Sequence, residues 1–356
     1  MDRARSVVVV DGLLDPKRDP ERFRTSSLGE PTVRSPLRLS NMRGDFVPHY
    51  VSERERVLHR VEFDTDVPLE GTAALEKAGP REIIYFDPRH ARAGIVTAGG
   101  VCPGINNVIR SLVLTLEHQY QVPTVLGFRF GFAGLDPSAG AGEPLALGPE
   151  QVQHAHSLGG TMLGTSRGPH DVAVMVDTLA TYGIDMLFTI GGDGTMRAAH
   201  AIAGEVTRRG AKISVIGVPK TIDNDIPFVD KTFGFETAVE MAHLAIDASH
   251  SEALSAANGI GLVKLMGREA GFIAATATLA SHDVNLCLVP EVPFRLEGTN
   301  GVLAYLEQRL ARRGHAVIVV GEGCAQELMA GPDLAPRDAS GNLRFTAFEL
   351  DVGEHL

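Results

Sequence analysis

Seven short apolar runs recur along the chain with helical stretches between them. They are GIVTA (94–98), TVLGF (124–128), DMLFTI (185–190), KISVIGV (212–218), GIGLVKL (259–265), NLCLVP (285–290) and the start of AVIVVGEG (316–323). A run that is apolar at nearly every position suits a strand covered on both faces, which means a parallel strand flanked by helices. The intervening segments support this. Ile105, Val108, Ile109, Leu112, Val113, Leu116 and Tyr120 form one face of a 3.6-residue period. Further helices are predicted after GGDGT, from about Gly234 to Ser249, and near 301–313. The pattern predicts an α/β chain of Rossmann-like three-layer domains with mainly parallel sheets. It also puts each glycine-rich turn at the C-terminal edge of a sheet, where such folds bind ligands.

Composition narrows the class. With 356 residues, 44% of them hydrophobic and 22% charged, the chain can bury a proper core and does not read as disordered. No apolar run approaches the ~20 residues of a membrane helix. The four valines before Asp11 are too few for a secretory signal. Cys102, Cys287 and Cys324 lack metal-ligand spacing and read as reduced thiols of a cytoplasmic protein. The net charge of −11 argues against nucleic acid as the main partner. Residues 17–43 carry seven basic and three acidic side chains, read as a solvated, partly ordered extension over 1–44, with an anion-binding arm as the alternative. Residues 45–90 read as folded but poorly patterned.

The turns carry the chemistry. GGVCPG (99–104) brings backbone close to a ligand at a helix N-terminus, though a plain structural turn would use the same glycines. GGDGT (191–195) places Asp193 to hold Mg²⁺, Gly192 and Gly194 to leave room for phosphate, and Thr195 to cap the helix or donate to phosphate. In PKTIDND (219–225), Lys220 supplies a positive charge. Asp223 and Asp225 share one side of an extended loop, so they repel, and one raised pKa suits proton removal from an alcohol. An Asx turn is the bland alternative. GGTMLGTSRG (159–168) ends at Arg167, MGREAG (266–271) offers Arg268, and GEG (321–323) offers Glu322 for sugar hydroxyls. No HExxH, CxxC or Ser/His/Asp order appears. GGVCPG also lacks the GxGxxG spacing that hydride transfer needs. Together these parts describe phosphoryl transfer to a hydroxyl.

In order along the chain, TAGGVCPGINNVIR, LGTSRG, IGGDGT, PKTIDNDIPFVDKTFGF, KLMGREAG and EGCAQ resemble the phosphofructokinase family, from about Phe46 onward. The closest likeness is to its long ATP-dependent branch in plants and trypanosomatids, related to the pyrophosphate-using lineage. The resemblance implies Mg²⁺-dependent transfer of the ATP γ-phosphoryl to the 1-hydroxyl of fructose 6-phosphate, in glycolysis. Carried over by position, Gly100, Arg167, Gly168 and Gly192 through Thr195 bind the nucleotide, and Asp193 holds Mg²⁺. Asp223 is the base, with Lys220, Asp225 and Arg268 completing the catalytic set. Thr221, Ile222, Asp223, Met266, Gly267, Arg268 and Glu322 meet the sugar phosphate.

The resemblance divides the chain into a nucleotide-binding domain over 45–234, with 45–90 as an appendage, and a sugar-phosphate domain over 235–356. Gly194 stands where pyrophosphate users carry Asp, which favours ATP. Lys220 is the residue typical of pyrophosphate users, so a pyrophosphate-dependent enzyme is the alternative. ASGNLRFTAFELDVGEHL (339–356) supplies no phosphate-clamping segment of the family's type. The second domain is therefore expected to be incomplete, and the chain alone poorly active and aggregation-prone. A homo-oligomer, dimer or tetramer, and allosteric control are further implications. Rival readings are another GGDGT kinase, acting on NAD or lipid, and an inactive nucleotide-binding subunit.

Overall fold

The computed structural model describes residues 23, 25–42, 44–58, 74–227 and 229–324. The segment 339–356 and most of the basic stretch before Thr25 lie outside the described residues, as do Ala325 and Gln326 of EGCAQ. The described residues divide into two compact units. One runs up to His90 and includes Gln119–Gln121, and the other holds the rest from Ala91 onward.

The first unit is built from four short strands, β1 (Val33–Arg34), β2 (Arg56–Leu58), β3 (Ala74–Glu76) and β4 (Ile83–Ile84). They form two antiparallel ribbons, β1 with β4 and β2 with β3. These segments are two or three residues long. No period can develop over such lengths, which is why the sequence shows none there.

The second unit alternates strands and helices. Its first sheet uses β5 (Arg92–Ala98), β6 (Thr124–Phe128), β7 (Leu145–Ala146), β8 (Met186–Gly191) and β9 (Ser214–Pro219). Their spatial order is β7-β6-β5-β8-β9. All neighbours are parallel except the short edge strand β7. The helices are α1 (Ile105–Leu114), a single turn α2 (Pro149–Val152), α3 (Val172–Thr181) and α4 (Asp193–Arg208). Val96, Ala98 and Phe128 of the sheet pack with Met175 and Leu179 of α3 and Ile202 and Val206 of α4 in one buried cluster.

The second sheet follows α5 (Phe235–Ser255) and consists of β10 (Gly259–Leu265), β11 (Leu286–Leu288) and β12 (His315–Gly321), with α6 (Phe272–Ser281) and α7 (Val302–Arg313). Its order is β10-β12-β11, all parallel. Central β12 explains its own unbroken apolar run. Ala316, Ile318 and Val320 pack with Val302 and Leu306 of α7, while Val317 and Val319 pack with α5 and α6 residues on the opposite face. With side chains alternating between two covered faces, residues 316–320 are all apolar, and the polar His315 stands at the half-buried start of the strand.

Boundaries differ from the sequence reading in identifiable ways. The helix expected to reach Tyr120 stops at Leu114, and a π-helical turn over Thr115–Gln119 follows. The wider turn breaks the 3.6-residue period and takes Tyr120 off the face. α5 continues to Ser255, beyond the Ser249 expected. β11 spans only three residues. Among the described residues no helix is long and apolar enough to cross a membrane.

Candidate active site

In the first sheet the chain passes from β5 outward to β6 and then returns across β5 to β8. The order therefore reverses between β5 and β8, and a crevice opens outside their C-terminal ends. The turns following these two strands are GGVCPG and GGDGT. The second reaches the strand end just before the first, since the Thr195 hydroxyl donates to the Ala98 carbonyl at 3.3 Å. Lys220, after β9, joins them through its backbone N–H, which donates to the Gly191 carbonyl at 2.9 Å.

Two helices start at this crevice. α1 has Gly104 as its N-cap, in the left-handed region at φ 99°, with no side-chain cap and no acidic residue in its first turn. A Cβ on Gly104 would also sit 3.1 Å from the Phe233 ring, so conformation and packing both demand glycine there. α4 has Gly192 as its N-cap, again with no capping side chain. Both N-termini therefore direct backbone N–H groups outward for an anion. The capping role expected of Thr195 is not what the structure shows. Thr195 is buried and its hydroxyl is committed to Ala98, tying GGDGT to the end of β5.

The loop bearing Arg167 folds over the same crevice. A Cβ on Gly100 would lie 3.7 Å from the Arg167 guanidinium. Gly168 adopts φ 121°, a region that only glycine enters freely, so the chain can turn away directly after the arginine. A Cβ placed on Gly194 would meet nothing within 4 Å, so the volume beside the α4 N-terminus is open. Asp193 is exposed at the first position of that helix. Among the described residues no group of three or more His, Cys, Asp or Glu is arranged to hold a metal. One exposed carboxylate beside an anion-binding N-terminus fits Mg²⁺ held mainly by phosphate and water oxygens, rather than a protein cage.

The second sheet contributes a matching edge. Leu265 and Gly321 pair at the ends of β10 and β12, which sets MGR and GEG side by side. The Glu322 N–H donates to the Leu265 carbonyl at 2.8 Å and the Gly323 N–H to the Gly267 carbonyl at 3.3 Å. A Cβ on Gly323 would fall 1.7 Å from the Arg268 carbonyl oxygen, so the two turns are in direct backbone contact.

Asp223 lies where the two edges meet. Its N–H donates to the Thr221 hydroxyl at 3.0 Å. Its Oδ1 is buried without a hydrogen-bond partner. Burial, and then the negative charges of Asp225 and Glu322, push its carboxyl up from 3.8 to about 6, against the pull of the Arg268 backbone N–H and side-chain charge. The sequence reading anticipated the repulsion from Asp225. Burial is the larger cause, and Glu322 is added by tertiary structure. Asn224, between the two acids, sits at φ 56°. Its side-chain oxygen accepts the Thr232 N–H at 2.8 Å and its amide donates to the Asp230 carbonyl at 3.2 Å, fixing the turn.

Lys220 is buried at 9% exposure, and its charge reaches the Cys102 thiol, whose pKa burial raises. Ile222 packs against the turn into α5, 3.2 Å from where a Gly234 Cβ would lie. Met266 is exposed. Cys102 and Cys324 are buried free thiols and Cys287 is half-buried. Sequence reasoning missed Asn106 and Thr97, both almost fully buried. The only trace in the sequence is a polar side chain next to Ile105 at the start of an apolar helix face.

Comparison with known proteins agrees with this geometry. The family model described as phosphofructokinase matches residues 92–346. The ATP-dependent 6-phosphofructokinase of Amycolatopsis methanolica is 48% identical over 345 residues, covering 94% of this chain and 73% of that protein. The ATP-dependent 6-phosphofructokinase of Trypanosoma cruzi is 49% identical over 278 residues, covering 78% of this chain and 55% of that protein. Among solved structures, the pyrophosphate-dependent phosphofructokinase of Marinobacter aquaeolei matches with a TM-score of 0.57 at 26% identity, over 66% of this chain and 61% of that one. Sequence likeness, strand order and the placing of the site's glycine-rich turns at the C-terminal edges of the two sheets converge: the chain belongs to the phosphofructokinase family.

Proposed function

We propose that the protein is an ATP-dependent 6-phosphofructokinase, transferring the γ-phosphoryl of ATP to the 1-hydroxyl of fructose 6-phosphate. The observation that carries this reading is Asp223, whose buried Oδ1 has no partner and whose carboxyl titrates near 6. At neutral pH it is ionised yet basic enough to accept a proton from an alcohol. The 1-hydroxyl donates to Asp223, the hydroxyl oxygen attacks the γ-phosphorus, and the bond to the β-phosphate bridging oxygen breaks to release ADP. The α1 and α4 N-termini, Arg167 and Lys220 hold and neutralise the donor phosphates. Mg²⁺ at Asp193 supplies further charge neutralisation when bound. Arg268, Met266 and Gly267 receive the sugar phosphate, with Glu322 accepting from a sugar hydroxyl.

ATP rather than pyrophosphate is favoured by the open volume at Gly194, where a carboxylate would repel the nucleotide's α-phosphate. It is also favoured by the names of the relatives near half identity. In this reading the nucleotide is handled by residues 45–234 and the sugar phosphate by 235–356, in a cytoplasmic homo-oligomer. Turnover with ATP and fructose 6-phosphate, measured beside turnover with pyrophosphate, tests it. Equal or faster reaction with pyrophosphate would overturn the donor, and phosphorylation of a different acceptor would overturn the substrate.

A further inference from the structure

The loop that ends at Arg167 is short of secondary structure, yet six of its residues between Leu158 and Ser166 are hydrogen-bonded to the β5 end, the turn after it and α1. Asn106, in the first turn of α1 and 2% exposed, uses both ends of its amide. Its Nδ2 donates to the Leu158 carbonyl at 2.9 Å. Its Oδ1 accepts the Met162 N–H at 2.8 Å. Thr97, at the end of β5 and 1% exposed, pairs its hydroxyl with that of Thr161 at 2.9 Å and with the Gly164 carbonyl at 2.8 Å. The Thr165 hydroxyl donates to the Gly99 carbonyl at 2.7 Å. The Gly99 N–H donates to the Ser166 carbonyl at 3.3 Å. Arg167 is the next residue.

We infer that Asn106, with Thr97, is a positioning residue that holds the Arg167 guanidinium over the Gly99–Gly100 turn. The inference rests on the donor-site reading above. Asn106 and the uncapped α1 N-terminus belong to one rigid helical turn, so the same element that presents N–H groups to phosphate also sets where Arg167 stands. Apolar packing alone would not do this, because Leu163 is the only deeply buried apolar side chain between 158 and 166, and one anchor lets a loop swivel. A buried amide bonded at both its ends fixes two points four residues apart and is costly to break.

The test is a double-mutant cycle read by ATP titration of the full chain, with thermal melting recorded for each variant. Asn106→Ala alone should weaken ATP binding about 10-fold, which is about 1.4 kcal/mol. In an Arg167→Ala background the same substitution should change affinity by less than about 2-fold. A stabilising role unconnected with Arg167 predicts instead that the two effects multiply, and that result would overturn the inference. If Asn106→Ala does not fold, Thr97→Val takes its place in the cycle with the same two outcomes. Failure of the unsubstituted chain to bind ATP would refute the donor site itself. Normal binding with a multiplicative cycle refutes only the positioning role.

Discussion

Asp223→Asn should make the protein more stable while disabling it. The carboxyl is raised from 3.8 to about 6, so the folded state binds more protons than the unfolded state between those values. Its contribution to stability is complete below about pH 4 and is lost as pH rises through 6, the sign expected when ionisation is disfavoured by the fold. At ~1.4 kcal/mol per pH unit, the rise corresponds to a ceiling of about 3 kcal/mol. Asp223 is only half-buried, so solvent screening reduces that to on the order of 1–2 kcal/mol. Asn keeps the shape and removes the charge that burial, Asp225 and Glu322 oppose. Thermal melting at pH 7.5 should therefore show a rise of roughly 1–3 °C. The gain should fall to about a third at pH 4.5 and vanish only near pH 3, where the unfolded carboxyl is protonated as well. Turnover should fall by about 10²–10⁴ for loss of a general base, with nucleotide affinity kept. A lower melting temperature at pH 7.5, an equal shift at both pH values, or turnover within 10-fold of the parent would refute the reasoning.

Three other substitutions or treatments probe separate parts of the site. Gly194→Asp meets no atom within 4 Å and places an acid in the first turn of a helix, so the fold should melt within a degree or two of the parent. Its KM for ATP should rise at least about 10-fold, because the carboxylate faces the donor's phosphates; an unchanged KM would remove Gly194 from the donor site. Gly323→Ala forces a Cβ to 1.7 Å from the Arg268 carbonyl. It should therefore raise the KM for fructose 6-phosphate more than that for ATP, together with a stability loss of about 2 kcal/mol or more. A thiol reagent at pH 8 should label the native protein slowly, since burial raises all three thiols and pushes Cys324 up to about 12. Labelling should become complete in guanidinium, and rapid native labelling would contradict the packing.

What the sequence revealed depended on how each contact is made. The main strands were legible because both faces of β5, β8 and β12 are covered, so burial was written into consecutive residues. The site loops were legible because close backbone approach requires glycine at fixed offsets from those strands. The ribbons of the first unit were not, since strands of two or three residues carry no period. Thr195 was read for its neighbours in GGDGT, but its hydroxyl bonds to a residue 97 positions away. Asn106 reads as a polar interruption of a helix face until the segment 158–162 is folded onto it. Glu322 as a cause of the raised Asp223 pKa required two sheet edges to meet. Long-range pairing of polar groups leaves no periodic trace, and that is where the sequence was silent.

A chain with net charge −11, carrying Asp223, Asp225 and Glu322 in its site, is an unpromising host for two polyanions unless attraction is local. The helix termini show how it is arranged. At α3 the Asp171 side chain caps the helix by accepting the Ala173 N–H at 2.8 Å. At α6 the Glu291 carboxylate takes the Gly271 N–H at 2.8 Å. At α3, away from the crevice, the protein spends one of its own carboxylates on a helix N-terminus. At α1 and α4, beside Gly100 and Gly194, glycine N-caps leave that function unfilled by any side chain. Helix dipoles and N–H groups act over a turn or less, and at ~0.15 M salt the distant surface charge is screened within about 8 Å. In the proposed donor site, the field that a bound phosphate meets would therefore be set by the two open N-termini, Arg167 and Lys220. The acidic total instead governs solubility, and the carboxylates retained in the site keep Asp223 basic.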